Sequence, residues 1–305
     1  MPSNTNITCP DSILPPSRIA NALLPQEIAD IILGMVDAED SLKACALVYR
    51  SLCAATPRIL FRSLKLKGHG RLSNYTAASK LFGRSSHIGA YVKDMKIDLP
   101  VGAYSDANKA ILTAVLAKLT AVRRCKIDGG TKYMWESLCD KALVAFLSWR
   151  PLQSLSLRAI KRIPLLVLAP FVASVPVLSF TYVTLQDNSS GAPPVTNPSS
   201  LTDLVLDKGT EDIITCLFSS SPARALPLQR LSVRDASCLP LIAAAAPTLR
   251  YLRIGSPVTK TDPLLSLESI PSLPSLRSFE LEGDSDFADP AWVRDTITSI
   301  LHCKP

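Results

Sequence analysis

One short pattern of apolar positions recurs down most of the chain: apolar, two variable, apolar, one variable, apolar. It occurs as FRSLKL at 61–66, VKDMKI at 92–97, VRRCKI at 122–127 and LQSLSL at 152–157. It returns as VLSFTY at 177–182, LTDLVL at 201–206, LQRLSV at 228–233, LRYLRI at 249–254 and LRSFEL at 276–281. Successive starts lie 21 to 31 residues apart. Self-similarity at such a period marks a solenoid, and each motif predicts one strand whose side chains alternate between a core face and an outer face. Between the motifs helical spacing takes over. Residues 106–120 (DANKAILTAVLAKLT) place Ala110, Ile111, Ala114, Val115 and Leu119 on one stripe, and 133–149, 212–219, 239–246 and 292–301 read alike. Strand, crossover helix and strand in the same direction give a parallel sheet with helices outside. A single unit cannot cover its own apolar face, so the units must stack.

Ahead of the repeats the period changes. Pro25 suits the first turn of a helix, Glu27 sits near its positive end, and Ile28, Ile31, Ile32 and Met35 fall on one stripe. Asp40-Ser41 reads as the cap of a second helix carrying Leu42, Cys45, Ala46 and Val48. The chain continues through Tyr49, Leu52 and Ala55 until Pro57 interrupts it. Three short helices are expected, with more apolar surface than so small a unit can hide. Residues 1–20, rich in Ser, Asn, Thr and Pro, read as a flexible tail. Residues 186–200 (QDNSSGAPPVTNPSS) hold turn and breaker residues and read as a disordered loop inserted between the fifth and sixth repeats. The expected organisation is therefore a tail at 1–20, a helical domain at 21–61 and a solenoid at 62–305.

Both folded parts resemble known families. LPQEIADIIL, SLKACALVYRSL and ILF, in that order between 24 and 61, resemble an F-box in the divergent form common in fungal proteins. Leu52 stands where that family has Trp, and Tyr49 where it often has Cys. The resemblance implies helices that bind a Skp-family adaptor and, through it, a cullin ubiquitin ligase. The contact set it implies is Leu24, Pro25, Ile28, Ile31, Leu42, Cys45, Val48 and Leu52. Some of these must instead hold the three helices together. Residues 61–301 resemble the leucine-rich repeat family in an irregular form. The Asn or Cys usual a few residues after the third apolar position is missing, and Pro100, Gly130 and Ile160 stand there. The fold expected is α/β, a three-helix F-box-like unit followed by an irregular leucine-rich-repeat solenoid with parallel strands inside and helices outside. Its rival is a doubly wound α/β domain.

Composition then narrows the function. The chain is 47% hydrophobic and 19% charged, which makes it globular. A net charge of +7 permits an acidic partner. No Lys/Arg cluster is dense or flanked by aromatics, so nucleic acid is not the expected partner. The eight cysteines form no C-x-x-C pair, and no signal peptide opens the chain, which points to reduced thiols in the cytoplasm or nucleus. Residues 163–186 carry no charge and are long enough to span a bilayer. Pro164, Pro170 and Pro176 interrupt that stretch and its end alternates like a strand, so a repeat unit is expected there and no membrane contact.

No phosphate loop, dinucleotide fingerprint, G-x-S-x-G elbow or H-E-x-x-H helix is present. His69, His87 and His302 are scattered, Ser85 and Ser86 are only sequence neighbours of His87, and Asp284-Ser285-Asp286 reads as a solvated turn. The chain is expected to be no enzyme and to need no cofactor or metal. Recognition is the expected work. Among the outward strand positions, Arg230, Arg234, Tyr251 and Arg253 form a basic and aromatic patch between two acidic strands. Arg and Tyr are enriched at binding hot spots, which makes the patch a candidate for holding a target. The other reading is a solvated sheet face with charges paired across strands. The leading function is thus a substrate receptor of a cullin ligase. The competing one is a repeat scaffold or recognition protein that never joins a ligase.

Overall fold

The computed structural model describes residues 25–36, 38–48, 50–68, 74–99, 106–135, 141–148, 150–186, 200–207, 209–218, 226–234, 238–255 and 271–282. The expected tail at 1–20, the expected loop at 186–200 except its two end residues, and the helix at 292–301 lie outside these residues. The chain divides between Leu60 and Phe61 into two compact units.

The first unit is three helices, α1 (Gln26–Gly34), α2 (Glu39–Val48) and α3 (Arg50–Leu60). Pro25 sits just before α1 rather than inside its first turn, and its carbonyl accepts from the N–H groups of Ile28 and Ala29. α2 starts earlier than the Asp40-Ser41 cap predicts, because the Ala38 carbonyl already accepts from Leu42 N–H. Glu39 and Asp40 then lie at the positive end of the helix, and Lys43 pairs with both, at 2.8 and 3.3 Å. α3 runs through Pro57 to Leu60 instead of stopping there. Proline deletes one ladder hydrogen bond and crowds one carbonyl, a defect this last turn absorbs. Thr56 adds its own bond to the preceding turn, donating its hydroxyl to the Leu52 carbonyl at 2.7 Å. Leu33, Leu42 and Ala55 form the small core, with Val36, Cys45, Leu52, Ile59 and Leu60 packed around it.

The second unit is a nine-stranded parallel sheet among the described residues. Its strands are β1 (Ser63–Lys67), β2 (Asp94–Asp98), β3 (Arg124–Met134), β4 (Ser154–Ile163), β5 (Val177–Leu185), β6 (Asp203–Leu206), β7 (Arg230–Val233), β8 (Tyr251–Gly255) and β9 (Ser278–Glu282). Each strand pairs only with its neighbours in sequence, so the order never reverses. A doubly wound sheet needs such a reversal. With crossovers of one hand, an unreversed order keeps all helices on one face. Those helices are α4 (Tyr75–Arg84), α5 (Asp106–Lys118), α6 (Lys141–Ser148), α7 (Leu165–Ser174), α8 (Glu211–Phe218) and α9 (Leu239–Ala245), with a 3₁₀ turn at Ser86–Ala90. The architecture is a solenoid-like α/β stack with one helix-covered face and one open face.

The motif's three apolar positions take different places. Val92, Met95 and Ile97 are all buried, as are Val122, Cys125 and Ile127, and Leu152, Leu155 and Leu157. Only the last two of each set lie in the strand. The first precedes it by two residues, at the corner where the chain bends in. At that corner two successive N–H groups share one carbonyl of the preceding repeat. Lys93 and Asp94 share that of Arg62, Arg123 and Arg124 that of Lys93, and Gln229 and Arg230 that of Thr202. In the fifth repeat the register differs from VLSFTY. Leu178 and Phe180 pair with Leu155 and Leu157, so the buried set is Val175, Leu178 and Phe180. Tyr182, the supposed third apolar position, is exposed.

β3, β4 and β5 outrun their motifs. Ala159 and Tyr182 adopt left-handed φ of 52° and 53°, each adding a residue that shifts the alternation, so Ile160 and Val183 point inward opposite each other. Arg162, at φ 57°, repeats the shift and turns Ile163 inward. Tyr133 joins this second buried layer and stays in β3, so of the helix expected over 133–149 the first two residues are strand, and helix is described at Trp135 and over Lys141–Ser148. Gly129 permits it, since a Cβ there would lie 2.3 Å from the Ala159 carbonyl oxygen. The charge-free stretch 163–186 is thus the end of β4, α7 and β5. No helix among the described residues is long and apolar enough to cross a membrane.

The edge strand β1 is capped. The Asn74 side chain accepts from Lys67 N–H at 2.8 Å and donates to the Lys65 carbonyl at 2.7 Å, mimicking a neighbouring strand.

Candidate functional site

Two surfaces are available for binding, one on each unit. On the first, α1 turns Ala29 and Leu33 inward, both fully buried, and leaves the isoleucine stripe outside. Ile28 is 43% exposed, Ile31 55%, Ile32 45% and Met35 76%. Among the described residues α1 packs on α3, and a nine-residue helix cannot bury a stripe on both sides against a partner on one. Leu47 on α2 is 89% exposed and was not legible as a surface residue from spacing alone.

The eight residues of the implied contact set separate accordingly. Pro25, Ile28 and Ile31 are exposed, whereas Leu42 is 6% exposed and sits in the core against Leu33 and Ala55. Cys45 and Leu52 are half-buried and packed on that core. Leu42, Cys45 and Leu52 therefore hold the helices together. Leu24 and the side chain of Val48 lie outside the described residues.

The second surface is the open face of the sheet, where the register fixes which side chains meet. At β7 and β8 the four predicted residues do come together, but each is already engaged. Arg230 pairs with Asp203 at 3.6 Å, and Arg234 with Asp207 at 3.0 Å and Glu282 at 3.3 Å. Arg253 pairs with Glu282 at 2.9 Å and Glu280 at 3.8 Å. Tyr251 donates its hydroxyl to Glu280, and that bond, with desolvation, pushes the phenol pKa up. Three arginines thus face Asp203, Asp207, Glu280 and Glu282, and the patch is not basic. It is a cross-strand ion-pair network of mostly exposed groups, worth a few tenths of a kcal/mol to about 1 kcal/mol per pair.

The positive charge lies at the other end. Along the paired runs of β1 to β4 the outward side chains include Lys65, Lys67, Lys96, Arg124, Lys126 and Arg158 against Asp94, Asp98 and Asp128. Lys65, Lys96 and Lys126 occupy one register position on three adjacent strands. Asp98 is shared by Lys65 at 3.4 Å and Lys96 at 3.0 Å. Partial burial pushes its carboxyl pKa up, but the two ammonium groups outweigh that and hold it below the ordinary carboxylate value. Arg124 is turned onto Asp94, donating from Nε and Nη2 to its two carboxylate oxygens. Lys126 has no ion-pair partner among the described residues. Beside this row lies a hollow of about 450 Å³, lined by Ser63, Asp94, Met95, Lys96, Arg124, Cys125, Lys126, Ser154 and Ser156. The three lysines stand at the fifth position of FRSLKL, VKDMKI and VRRCKI, so stacking these motifs exposes the row in the sequence.

Among the described residues no group of three His, Cys, Asp or Glu side chains could hold a metal ion. His87 packs edge-on against Tyr91. No protein-family model matches the chain, and no curated protein gives a significant match to it.

Proposed function

We propose that the protein is the substrate-recognition subunit of a cullin-type ubiquitin ligase. Its amino-terminal helices dock a Skp-family adaptor, and its repeats hold the target protein. The reading starts from the F-box resemblance of residues 24–61 and the leucine-rich-repeat resemblance of 61–301. The observation that carries it furthest is the solvent-facing stripe of Ile28, Ile31, Ile32 and Met35 on α1. An apolar patch of this kind on a small unit marks a protein interface, and anchors at helical spacing suit a partner's groove. Burying the exposed half of four such side chains is worth about 3–6 kcal/mol before the costs of association. The chain supplies no chemistry in this reading. It supplies proximity, bringing target lysines within reach of a conjugating enzyme carried by the ligase.

The test is affinity purification of the tagged full chain, alongside an Ile28→Asp, Ile31→Asp variant. Adaptor and cullin should be recovered together with the native chain, and both should be lost with the variant while its melting temperature holds. Recovery undiminished in the variant would remove α1 from the interface. Absence of both proteins from the native chain, even under proteasome block, would leave the protein a recognition scaffold outside any ligase.

A further inference from the structure

The reading above leaves the target's chemistry open, and the open face of β1 to β4 addresses it. We propose that the Lys65–Lys96–Lys126 row, with the hollow beside it, binds an acidic segment of a partner protein through its carboxylates. This rests on the open face being the target surface, and is independent of the adaptor.

Like charges directly opposite one another on adjacent strands are destabilising, so a sheet with no ligand has reason to alternate them. This sheet does alternate them on β6 to β9, with Asp203 opposite Arg230 and Arg253 opposite Glu280. On β6 to β9 every arginine of the face meets a carboxylate of a neighbouring strand. At the lysine row it does not. Asp98 alone serves Lys65 and Lys96, Asp94 is taken up by Arg124, and Lys126 has no ion pair among the described residues. The surplus charge borders the hollow where Ser63, Ser154 and Ser156 offer hydroxyl groups to peptide carbonyls or carboxylates.

The dimensions suit a polypeptide. Two strand spacings separate Lys65 from Lys126, about 10 Å, while a polyproline II chain has three residues per turn and advances roughly 3.1 Å per residue, so carboxylates three residues apart lie on one side of it and would sit over the two ends. Nucleic acid fits less well. Single strands are held by aromatic platforms, and the hollow's lining contains none. Asp94, Asp98 and Asp128 would also face a phosphate backbone that cannot step around them.

The experiment is fluorescence anisotropy with the purified full chain at low salt. The probes are a labelled peptide with glutamate at every third residue, its glutamine counterpart, and an oligothymidine of similar length. The glutamate peptide should bind, the glutamine peptide about tenfold more weakly or worse, and added salt should weaken the complex. Lys96→Gln with Lys126→Gln should cost about tenfold in affinity, and Arg230→Gln with Arg253→Gln should cost little, because those arginines are spent on neighbouring carboxylates. If the double lysine variant fails to fold, Lys126→Gln alone carries the test. The proposal is overturned if no probe binds, if glutamine and glutamate peptides bind alike, if oligothymidine binds more tightly, or if the lysine variant binds as the native chain does. Adaptor recovery by the lysine variant should stay at the native level, which keeps this outcome separate from the ligase reading.

Discussion

Gly255 offers a test of the ion-pair network at the carboxyl end of the sheet. It occupies β8 between Arg234 and Glu282 on the neighbouring strands, and the arginine stem lies across it to reach the glutamate. A Cβ at 255 would stand 2.5 Å from Arg234 Cγ and 3.1 Å from its Cδ and Nε. Cγ is too close to the backbone to move without a change of rotamer, so alanine at 255 should swing the whole side chain away. Both bridges of Arg234, to Asp207 and Glu282, would then break. Arg234 is one-third exposed and Glu282 keeps its bond to Arg253, so the loss is that of surface pairs, about 1–2 kcal/mol for the two.

The backbone itself favours the substitution. Gly255 is not at positive φ, so alanine there should stabilise by about 0.4–1 kcal/mol through the unfolded chain. Gly255→Ala should therefore be neutral to mildly destabilising in the native background, and stabilising when Arg234→Ala is already present. The quantity to measure is the coupling in a double-mutant cycle, about 1–2 kcal/mol, by urea unfolding of the four proteins at constant slope. Raising the salt should shrink it. Additivity within about 0.5 kcal/mol would refute the reasoning, since the two residues would then not compete for space.

Other outcomes follow from the core and the strained positions. Phe180→Ala removes a fully buried ring and should cost about 3–5 kcal/mol, lowering the melting temperature on the order of 10 °C in a unit of this size. Ala159→Gly, at a left-handed φ, should raise stability by up to about 1 kcal/mol, where the same change in an ordinary strand lowers it. Burial pushes the Cys125 thiol up to about 12, so it should resist alkylation at pH 8 until the protein unfolds, while Cys45 reacts. Because the unfolded thiol ionises first, the folded state holds the extra proton above pH of about 9. Stability should then fall by up to about 1.4 kcal/mol per pH unit towards 12, and a Cys125→Ala variant should lose that slope.

The buried half of the sheet was largely legible from the motif, because alternation in a strand writes the core face directly into the sequence. Met95 and Ile97, or Leu155 and Leu157, could be placed inside without a structure. What failed had local causes. Tyr182 mimicked an apolar position in the fifth motif, and only the left-handed bulge at that residue shows why it points outward. The helix expected from 133 gives way to a longer β3, which Gly129 permits because a Cβ there would collide with the Ala159 carbonyl. The division of the F-box-like residues into core and surface was illegible for a different reason. Ile31 and Leu42 have the same chemistry, and which one is buried depends on how α1 leans on α3.

The sequence left the open face with two readings, a recognition patch or charges paired across strands, and the observed pairs favour the second. Arg230, Arg234 and Arg253 crowd together in sequence order, but their partners are acids 27 to 48 residues away, such as Asp207 beside Arg234 and Glu282 beside both Arg234 and Arg253. In a parallel stack the relevant neighbour of any outward residue is the one at the same register in the next repeat. Summed that way, the arginine patch cancels and the lysine row does not. Paired charges tie adjacent repeats together at a few tenths of a kcal/mol to about 1 kcal/mol per pair, whereas Lys126 has no ion pair among the described residues and its charge stays open to whatever approaches the face.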